Sequence, residues 1–264
     1  MALNYKTCEE VWKTNITQVI SDFAPITAAQ ALVTSPVSRA SPYFQDGILY
    51  VGTLIHALLL AVDASDGAII AQTQVDAHPL AVLTQGATVY NGKIFVGASS
   101  VEETAAAIVP GYECCSFVGH MNAYTLDGAS GQFSEVWSVS MLPDPPGEWS
   151  GIAVWGSQPS VDQTRDQVYI ATGNVYTAPK EFSDCAKSTN ETSKCLPDNV
   201  WQESVIALDI DTGHINWANV ISPLDAWTVA CVPGAATSKN QDNCPPAPGP
   251  DVSNIIGKSV KRSI

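Results

Sequence analysis

Carboxylate and amide side chains follow several segments that favour β-strands, and their oxygen atoms are ligands that calcium prefers. Glu102 comes soon after the run KIFVGA, Asn174 directly follows YIATG, and Asp225 comes shortly after HINWANV. If these strand ends meet, the sequence predicts a calcium site built from Glu102, Asn174 and Asp225. Each residue also has an ordinary explanation, because Asn after Gly is common in turns and a loop glutamate is usually solvated.

Other residues that could take part in binding lie where inner strands are predicted to begin. Arg39 could hold an anion there, because its guanidinium offers several fixed donors. Trp155 and Gly156 begin a further inner strand, where Trp155 has the alternative of being a core residue. Together with the acidic residues they predict a polar site that also contains one large aromatic ring.

The composition excludes some classes of partner. The chain has 264 residues, with 26 acidic against 12 basic side chains and a formal net charge of −14. Nucleic acid and anionic membrane surfaces are therefore poor partners, because both need clustered lysine and arginine. No run of 18 apolar residues occurs, so no membrane span is expected. Since 45% of the residues are hydrophobic, the chain can bury a sizeable core.

One pattern of strands and turns repeats along the chain, at 46–75, 91–139 and 165–220. In each repeat, strands rich in Val, Ile, Tyr and Phe are bounded by Gly, Asp and Asn turns. No segment shows a long helical period, which predicts an all-β fold. With a further strand before each repeat, four strands per unit are typical of a β-propeller blade. A β-sandwich with similar hairpins is the alternative.

The repeats predict where each blade begins and ends, and they predict a propeller that is incomplete. The predicted segments are blades at 36–76, 87–140 and 152–221, a partial propeller domain over 1–251 and a disordered tail over 252–264. Residues 7–19 match only the last strand of such a unit, with Trp12 in the position of Trp137 and Trp217. Roughly three and a half blades do not close a propeller, so we expect a chain shortened at both ends.

Two long insertions are predicted on one face of the propeller. Successive strands of a blade are antiparallel, so the loops 99–119 and 173–203 should lie at the same end as the links between blades. Long loops on a rigid scaffold are where binding and catalysis concentrate. Glu102, Glu103 and Asn174 fall on that face.

Cysteine usage and glycosylation motifs favour an oxidising compartment. Seven cysteines accompany two Asn-x-Ser/Thr acceptors, at Asn15 and Asn190, which suits the secretory pathway better than the cytosol. The N-terminus nevertheless lacks the apolar segment of a signal peptide. Secretion is therefore expected for the parent protein.

Several pairings of the cysteines are open. The natural local pairs are Cys185 with Cys195 and Cys231 with Cys244, and Cys8 is left over. Cys114 and Cys115 form a strained disulfide, remain two thiols or have separate partners. A zinc site is disfavoured, because no Cys-x-x-Cys pair exists and the histidines are scattered.

The motifs resemble those of a known family. The strongest are VWGSQPSVDQTRDQVYIATGN, VGASSVEE, YECCSFVGHMNAYTLD and LDAWTVAC. They resemble the quinoprotein alcohol dehydrogenases, eight-bladed β-propellers that bind pyrroloquinoline quinone and Ca²⁺, and most of all the polyvinyl-alcohol-dehydrogenase-like branch. The resemblance runs over nearly the whole chain.

The resemblance implies roles for individual residues. Glu102 and Asn174 would bind Ca²⁺, and Trp155, followed by Gly156, would lie under the quinone ring. Arg39 would contact the quinone. Cys114 and Cys115 would cap the site, although the family places its adjacent cysteines in an earlier loop.

The catalytic base is where the sequence departs from the family. The Trp-Asp pair that supplies this base in the family corresponds to Trp227-Thr228 here. Asp225 is the only acid in reach, so it is both the candidate base and a third metal ligand.

The resemblance implies an oxidoreductase that transfers hydride from an alcohol to the quinone. The substrate would be a small or polymeric alcohol, and the electron acceptor is unidentified. Because a site on a propeller axis needs contributions from around the ring, we expect this chain alone to be inactive. The alternative is a non-catalytic binding propeller of the secretory pathway.

Overall fold

A computed structural model describes residues 1–156, 158–189, 192–222, 224–237 and 239–245, and structural statements here refer to these ranges. The first elements are the antiparallel pair β1 (Ala2–Leu3) and β2 (Glu10–Trp12) and the helices α1 (Ile16–Phe23) and α2 (Ala28–Val33). The side chain of Asn15 accepts from the N–H of Gln18 to begin α1, and Thr27 and Gln30 form a capping box at α2. The strand predicted over 7–19 thus contains β2 and the first half of α1.

Three antiparallel sheets follow, and each corresponds to one predicted repeat. The first has the strand order β3 (Tyr43–Gln45), β4 (Ile48–Gly52), β5 (Leu58–Asp63) and β6 (Ile69–Gln74). The second contains β7 (Ala81–Val82), β8 (Thr88–Tyr90), β9 (Lys93–Ser100), the helix α3 (Glu102–Ile108), β10 (His120–Asp127) and β11 (Gln132–Ser140). Its order is β11-β10-β9-β7, and β8 also pairs with β9.

The third sheet has the order β13-β14-β16-β17, beside a short two-stranded pair. The elements of this region are β12 (Ser150–Gly151), β13 (Ser160–Asp162), β14 (Gln167–Ala171), β15 (Val175–Thr177), α4 (Lys180–Ser188), β16 (Ser204–Asp209) and β17 (Ile215–Val220). β12 pairs with β15. Single 3₁₀ turns occur at Thr192–Cys195, Val229–Cys231 and Gln241–Asn243. The prediction of an all-β fold is confirmed, and α3 and α4 lie inside the two long loops.

Apolar side chains between consecutive sheets form the core. Leu59 of the first sheet shares one buried cluster with Val96 of the second. Phe95 of the second shares another with Ile206 of the third. Because the central strands are covered on both faces, they read as nearly continuous apolar runs such as LLLAV. Consecutive sheets therefore pack face to face, as the blades of a β-propeller do.

Tryptophans of the outer strands connect neighbouring blades. The Trp137 indole N–H donates to the carbonyl of Ile210 at 3.3 Å. Its ring covers Gly213, where an added Cβ would lie 2.8 Å from a ring atom. Trp12 makes the same contact with the first blade, donating to the carbonyl of Ala64 at 2.9 Å. Trp12 and Trp137, predicted to be equivalent, therefore occupy equivalent positions in the structure.

No helix in the described part of the chain combines the length and the hydropathy that crossing a bilayer requires.

Candidate functional site

A cavity of about 240 Å³ opens where strand ends of the second and third blades meet. It is lined by Glu103, Ala153, Trp155, Gly173, Asn174 and Tyr176. Glu103 is in the first turn of α3, just after β9, and Asn174 lies between β14 and β15. The two long insertions therefore contribute to one site, together with the link that carries Trp155.

Asn174 has a fixed side-chain amide. Its Nδ2 donates to the carbonyls of Val175 at 2.8 Å and Trp227 at 2.9 Å. Val175 also forms a bridge with Ala226, which ties the segment after β17 to this strand. Because both amide protons are used, Oδ1 is the atom left to accept a bond from a ligand in the cavity.

Glu103 is a largely buried acid that has no cationic partner in the part of the chain that the structure describes. None of the ion pairs between described residues includes it. Burial raises the pKa of Glu103, as expected when a carboxylate loses water and gains no opposite charge. A cation in the cavity would offset that cost.

Glu102, the metal ligand predicted from the sequence, does not line the cavity. Its side chain is fully buried, and its carboxylate accepts hydrogen bonds from the N–H groups of Ser116 and Phe117, both at 2.8 Å. Burial pushes the pKa of Glu102 upward, but the neighbouring His78 and the hydrogen bonds from the N–H groups of Phe117 and Ser116 outweigh it and hold the pKa below its usual value. The geometry thus favours Glu103 over Glu102 as the residue facing a cation.

The predicted aromatic and basic residues lie together at the cavity. Trp155 lines it, and the guanidinium carbon of Arg39 lies 5.8 Å from the centroid of the Trp155 ring. Gly156 is exposed and follows directly. Arg39 is exposed, so its charge is available beside the ring face.

Asp225 lies next to this region without lining the cavity. Its main-chain carbonyl accepts from the N–H of Val175 at 3.1 Å, and burial raises the pKa of Asp225. Burial, and secondarily the charge of Asp225, raise the pKa of Glu203 as well. Thr228 is fully buried and donates to the carbonyl of Asn243 at 2.9 Å.

The disulfides settle the alternatives left by the sequence. The bonded pairs are Cys114–Cys115, Cys185–Cys195 and Cys231–Cys244, and Cys8 is free and exposed. The local pairs and the leftover cysteine are confirmed, and the adjacent cysteines form a disulfide. Cys115 packs against the cluster that contains Ala153 and Tyr176, two residues of the cavity wall.

Asn240 is a residue of this region that no sequence pattern singles out. Its Nδ2 donates to the carbonyls of Ala106 at 3.0 Å and Val109 at 2.6 Å, and its Oδ1 accepts from the N–H of Gly111 at 2.9 Å. It thereby fixes the C-terminal end of α3, the helix that carries Glu103. More than 100 residues separate the partners, so no local pattern reveals the contact.

We expect Asn240→Ala to lower the free energy of unfolding by about 1–3 kcal/mol. The carbonyl of Val109 and the N–H of Gly111 lose this partner, and the carbonyl of Ala106 keeps only its bond from Asn243. Asn219→Ala, at an exposed position of β17, is the control and should change it by less than about 0.5 kcal/mol. Urea denaturation followed by fluorescence measures both. Equal effects of the two substitutions would show that Asn240 does not hold α3.

Comparisons with known proteins give relatives in sequence and in fold. No family model matches the chain. It is 29% identical over 265 residues to a polyvinylalcohol dehydrogenase of Sphingopyxis sp. (strain 113P3), covering 96% of this chain and 35% of that protein. It is 32% identical over 204 residues to a polyvinylalcohol dehydrogenase of Pseudomonas sp, covering 73% of this chain and 27% of that protein.

A solved structure shows the same fold. The quinohemoprotein alcohol dehydrogenase of Comamonas testosteroni superposes with a TM-score of 0.57 at 19% identity, covering 86% of this chain and 32% of that chain. The chain belongs to the quinoprotein alcohol dehydrogenase-like family of β-propellers. This quinoprotein chain spans about a third or less of the length of these relatives, 35%, 27% and 32% respectively.

Proposed function

We propose that the cavity is part of the quinone and metal site of an alcohol oxidoreductase. One observation carries the proposal. An acid that has no ion pair within the described residues, an amide oxygen left to accept and an indole ring line the same small cavity. These groups match, in chemistry, what a divalent cation and a flat aromatic cofactor require.

The donor set suits a hard cation. Glu103 offers a carboxylate and Asn174 an amide oxygen, and both are oxygen ligands of the kind Ca²⁺ takes. Glu103 replaces Glu102 in this role, and Asp225 is not included because it does not line the cavity. When bound, the quinone would accept the hydride of an alcohol carbon, and the cation would polarise the quinone as a Lewis acid. The protein's part is to hold both groups and keep water from them.

Binding of the quinone is proposed to depend on Trp155 and Arg39. The indole gives a flat apolar surface on which an aromatic ring can stack. The exposed guanidinium next to it can bind an anionic substituent with two parallel hydrogen bonds. Cys115 of the Cys114–Cys115 disulfide packs against the cluster that forms part of the cavity wall, and the proposed role of this disulfide is to cap the site.

Asp225 is the proposed proton acceptor for the alcohol hydroxyl. Its raised pKa suits a base working near neutral pH. Because it lies outside the cavity lining and a threonine occupies the position after Trp227, we propose that this chain by itself oxidises alcohols poorly or not at all. The proposed substrates are small or polymeric alcohols.

A secretory location is proposed on the disulfides. Six of the seven cysteines are bonded, which requires an oxidising compartment. Asn15 is exposed but serves as the cap of α1, and its glycosylation stays a prediction. Asn190 and the tail 252–264 lie outside the described residues.

A second candidate function is a propeller that binds without catalysis. It is favoured by Thr228, which is buried and hydrogen-bonded to the backbone where the family resemblance leads us to expect the catalytic acid. A folded chain that binds neither quinone nor Ca²⁺ would support this alternative, because the first proposal requires both.

We expect pyrroloquinoline quinone to quench the tryptophan fluorescence of the chain in the presence of Ca²⁺. Trp155→Phe should remove the larger part of this quenching and weaken quinone binding about tenfold, since stacking on an indole contributes roughly 1 kcal/mol or more. Trp217→Phe, at a half-exposed position of β17, is the matched control and should leave the affinity unchanged. Quenching that is independent of both Ca²⁺ and Trp155 would contradict the proposed site.

A further inference from the structure

The loop that follows α3 is folded around the carboxylate of Glu102. Oε1 accepts from the hydroxyl of Tyr112 and the N–H of Ser116, both at 2.8 Å. Oε2 accepts from the N–H of Phe117 at 2.8 Å. Glu102 has no exposed surface, so these donors replace its water entirely. A carboxylate can accept at both oxygens in this way, whereas a neutral amide of the same shape cannot.

His78 is a further member of this hydrogen-bond network, next to Ser116 and Glu102. Its Nδ1 accepts from the N–H of Leu80 at 3.2 Å. The ring therefore carries its proton on Nε2, which lies 3.1 Å from the Ser116 hydroxyl and 3.6 Å from Oε1 of Glu102. The carboxylate is therefore surrounded by donors. Tyr112, Ser116 and Phe117 donate to it directly, and Nε2 of His78 faces both Glu102 and its partner Ser116.

The loop held by Glu102 forms part of the wall behind the cavity. The ring of Phe117 stacks on Tyr176 with centroids 6.4 Å apart and an interplanar angle of 29°. Cys115 packs against the same buried cluster. Tyr176 lines the cavity, so a shift of this loop would move the wall on which a bound molecule rests.

We propose that Glu102 is a positioning residue that fixes the loop 112–117 and, through it, the Cys114–Cys115 disulfide and Phe117 beside the cofactor cavity. It acts through the loop and touches neither the cation nor the quinone. The two adjacent acids thereby have different roles. Glu103 faces the cavity, and Glu102 fixes the loop that forms part of the cavity wall. The consequence for the cavity rests on the function proposed above, but the anchoring of the loop does not.

Hydrogen exchange of the full chain tests the anchoring. In Glu102→Gln the amides of Ser116 and Phe117 should exchange at least about tenfold faster, because two hydrogen bonds to a charged acceptor are lost or weakened. The Cys114–Cys115 bond should also be reduced faster relative to Cys185–Cys195 in the same sample. The amides of β9 and β10 should keep their protection, which shows that the variant is folded.

Two further variants make the result specific. Glu103→Gln, the same substitution one residue away, should leave exchange in the loop within about twofold of the unaltered chain. Tyr112→Phe removes one donor and keeps the carboxylate, so its effect should be intermediate, and it serves if Glu102→Gln fails to fold. Unchanged exchange at Ser116 and Phe117 in both Glu102→Gln and Tyr112→Phe would overturn the proposal.

A binding measurement separates positioning from simple structural support. Glu102→Gln should weaken the affinity for pyrroloquinoline quinone at least about fivefold while the stabilisation by Ca²⁺, which depends on Glu103, is retained. A loosened loop with unchanged quinone affinity would refute the positioning role. If the unaltered chain binds no quinone, the proposed function is wrong, and the exchange data alone decide whether Glu102 anchors the loop.

Discussion

Glu103→Gln should abolish the stabilisation of this chain by Ca²⁺. The unaltered chain is expected to gain about 2.7 kcal/mol at a Ca²⁺ concentration one hundred times its Kd. For a domain of this size, that corresponds to a rise in Tm of roughly 5–10 °C. The variant should gain almost nothing, because the amide oxygen of Asn174 alone is a weak site for a divalent cation.

Without metal, the order of stability should reverse. Glu103 is largely buried, has no ion pair among the described residues and has a pKa raised by burial. Its charge therefore destabilises the folded state at neutral pH, and an uncharged side chain of the same shape removes that cost. We expect metal-free Glu103→Gln to have the higher Tm of the two proteins. Calorimetry with and without Ca²⁺ measures both effects on the same samples.

Glu113→Gln is the matched control for this prediction. Glu113 is exposed, so the variant changes the net charge by the same amount without altering the cavity. It should keep the full response to Ca²⁺. A loss of the response in both variants would assign the stabilisation to general screening of an acidic protein, and the metal site would have to be abandoned.

The blades could be predicted from the sequence because their signals are local. Central strands such as β5 are buried on both faces, and this requires the apolar run LLLAV. The turns that follow need Asp and Gly at fixed positions. Trp12 and Trp137 recur because each covers a glycine of the next turn, which makes the repeat visible without any structure.

The short helices are less visible in the sequence. α3 has only 7 residues and no side-chain cap, so the acidic pair Glu102 and Glu103 in its first turn is a weak signal of its start. Its position depends on Asn240, which binds its C-terminal end from another part of the chain. Sequence patterns report local preference, whereas this helix is determined by tertiary contacts.

Asn174 and Trp155, both selected from the sequence, line the cavity, whereas Glu102 and Asp225 do not. The exchange of Glu102 for Glu103 at the cavity has a physical origin. Glu102 and Glu103 are adjacent, and neighbouring residues of a helix point about 100° apart. Which of them faces the cavity depends on how α3 is rotated against the loop that follows it. The N–H groups of Ser116 and Phe117 settle that rotation by binding Glu102, and no spacing rule encodes this.

Trp137→Ala should destabilise the chain more than any other single substitution considered, by about 3–5 kcal/mol, because it removes a buried ring from the packing between two blades. Trp137 is 7% exposed and lies in the core cluster that joins the second and third sheets. It also donates a hydrogen bond to Ile210 across the junction. Trp217→Ala, at the equivalent position of β17 but 44% exposed, is the natural control and should cost about 1 kcal/mol or less.

A second substitution tests the contact from the opposite blade. Gly213 has φ 73°, and an added Cβ would lie 2.8 Å from Trp137. Gly213→Ala should therefore cost about 1–3 kcal/mol through strain and displacement of the indole. Since part of that cost is the clash with Trp137, the double variant Trp137→Ala, Gly213→Ala should be more stable than the sum of the single effects implies. Strict additivity in urea denaturation would mean that the indole and the turn contribute independently, and the inter-blade contact would not be the reason that this Trp and Gly pattern repeats.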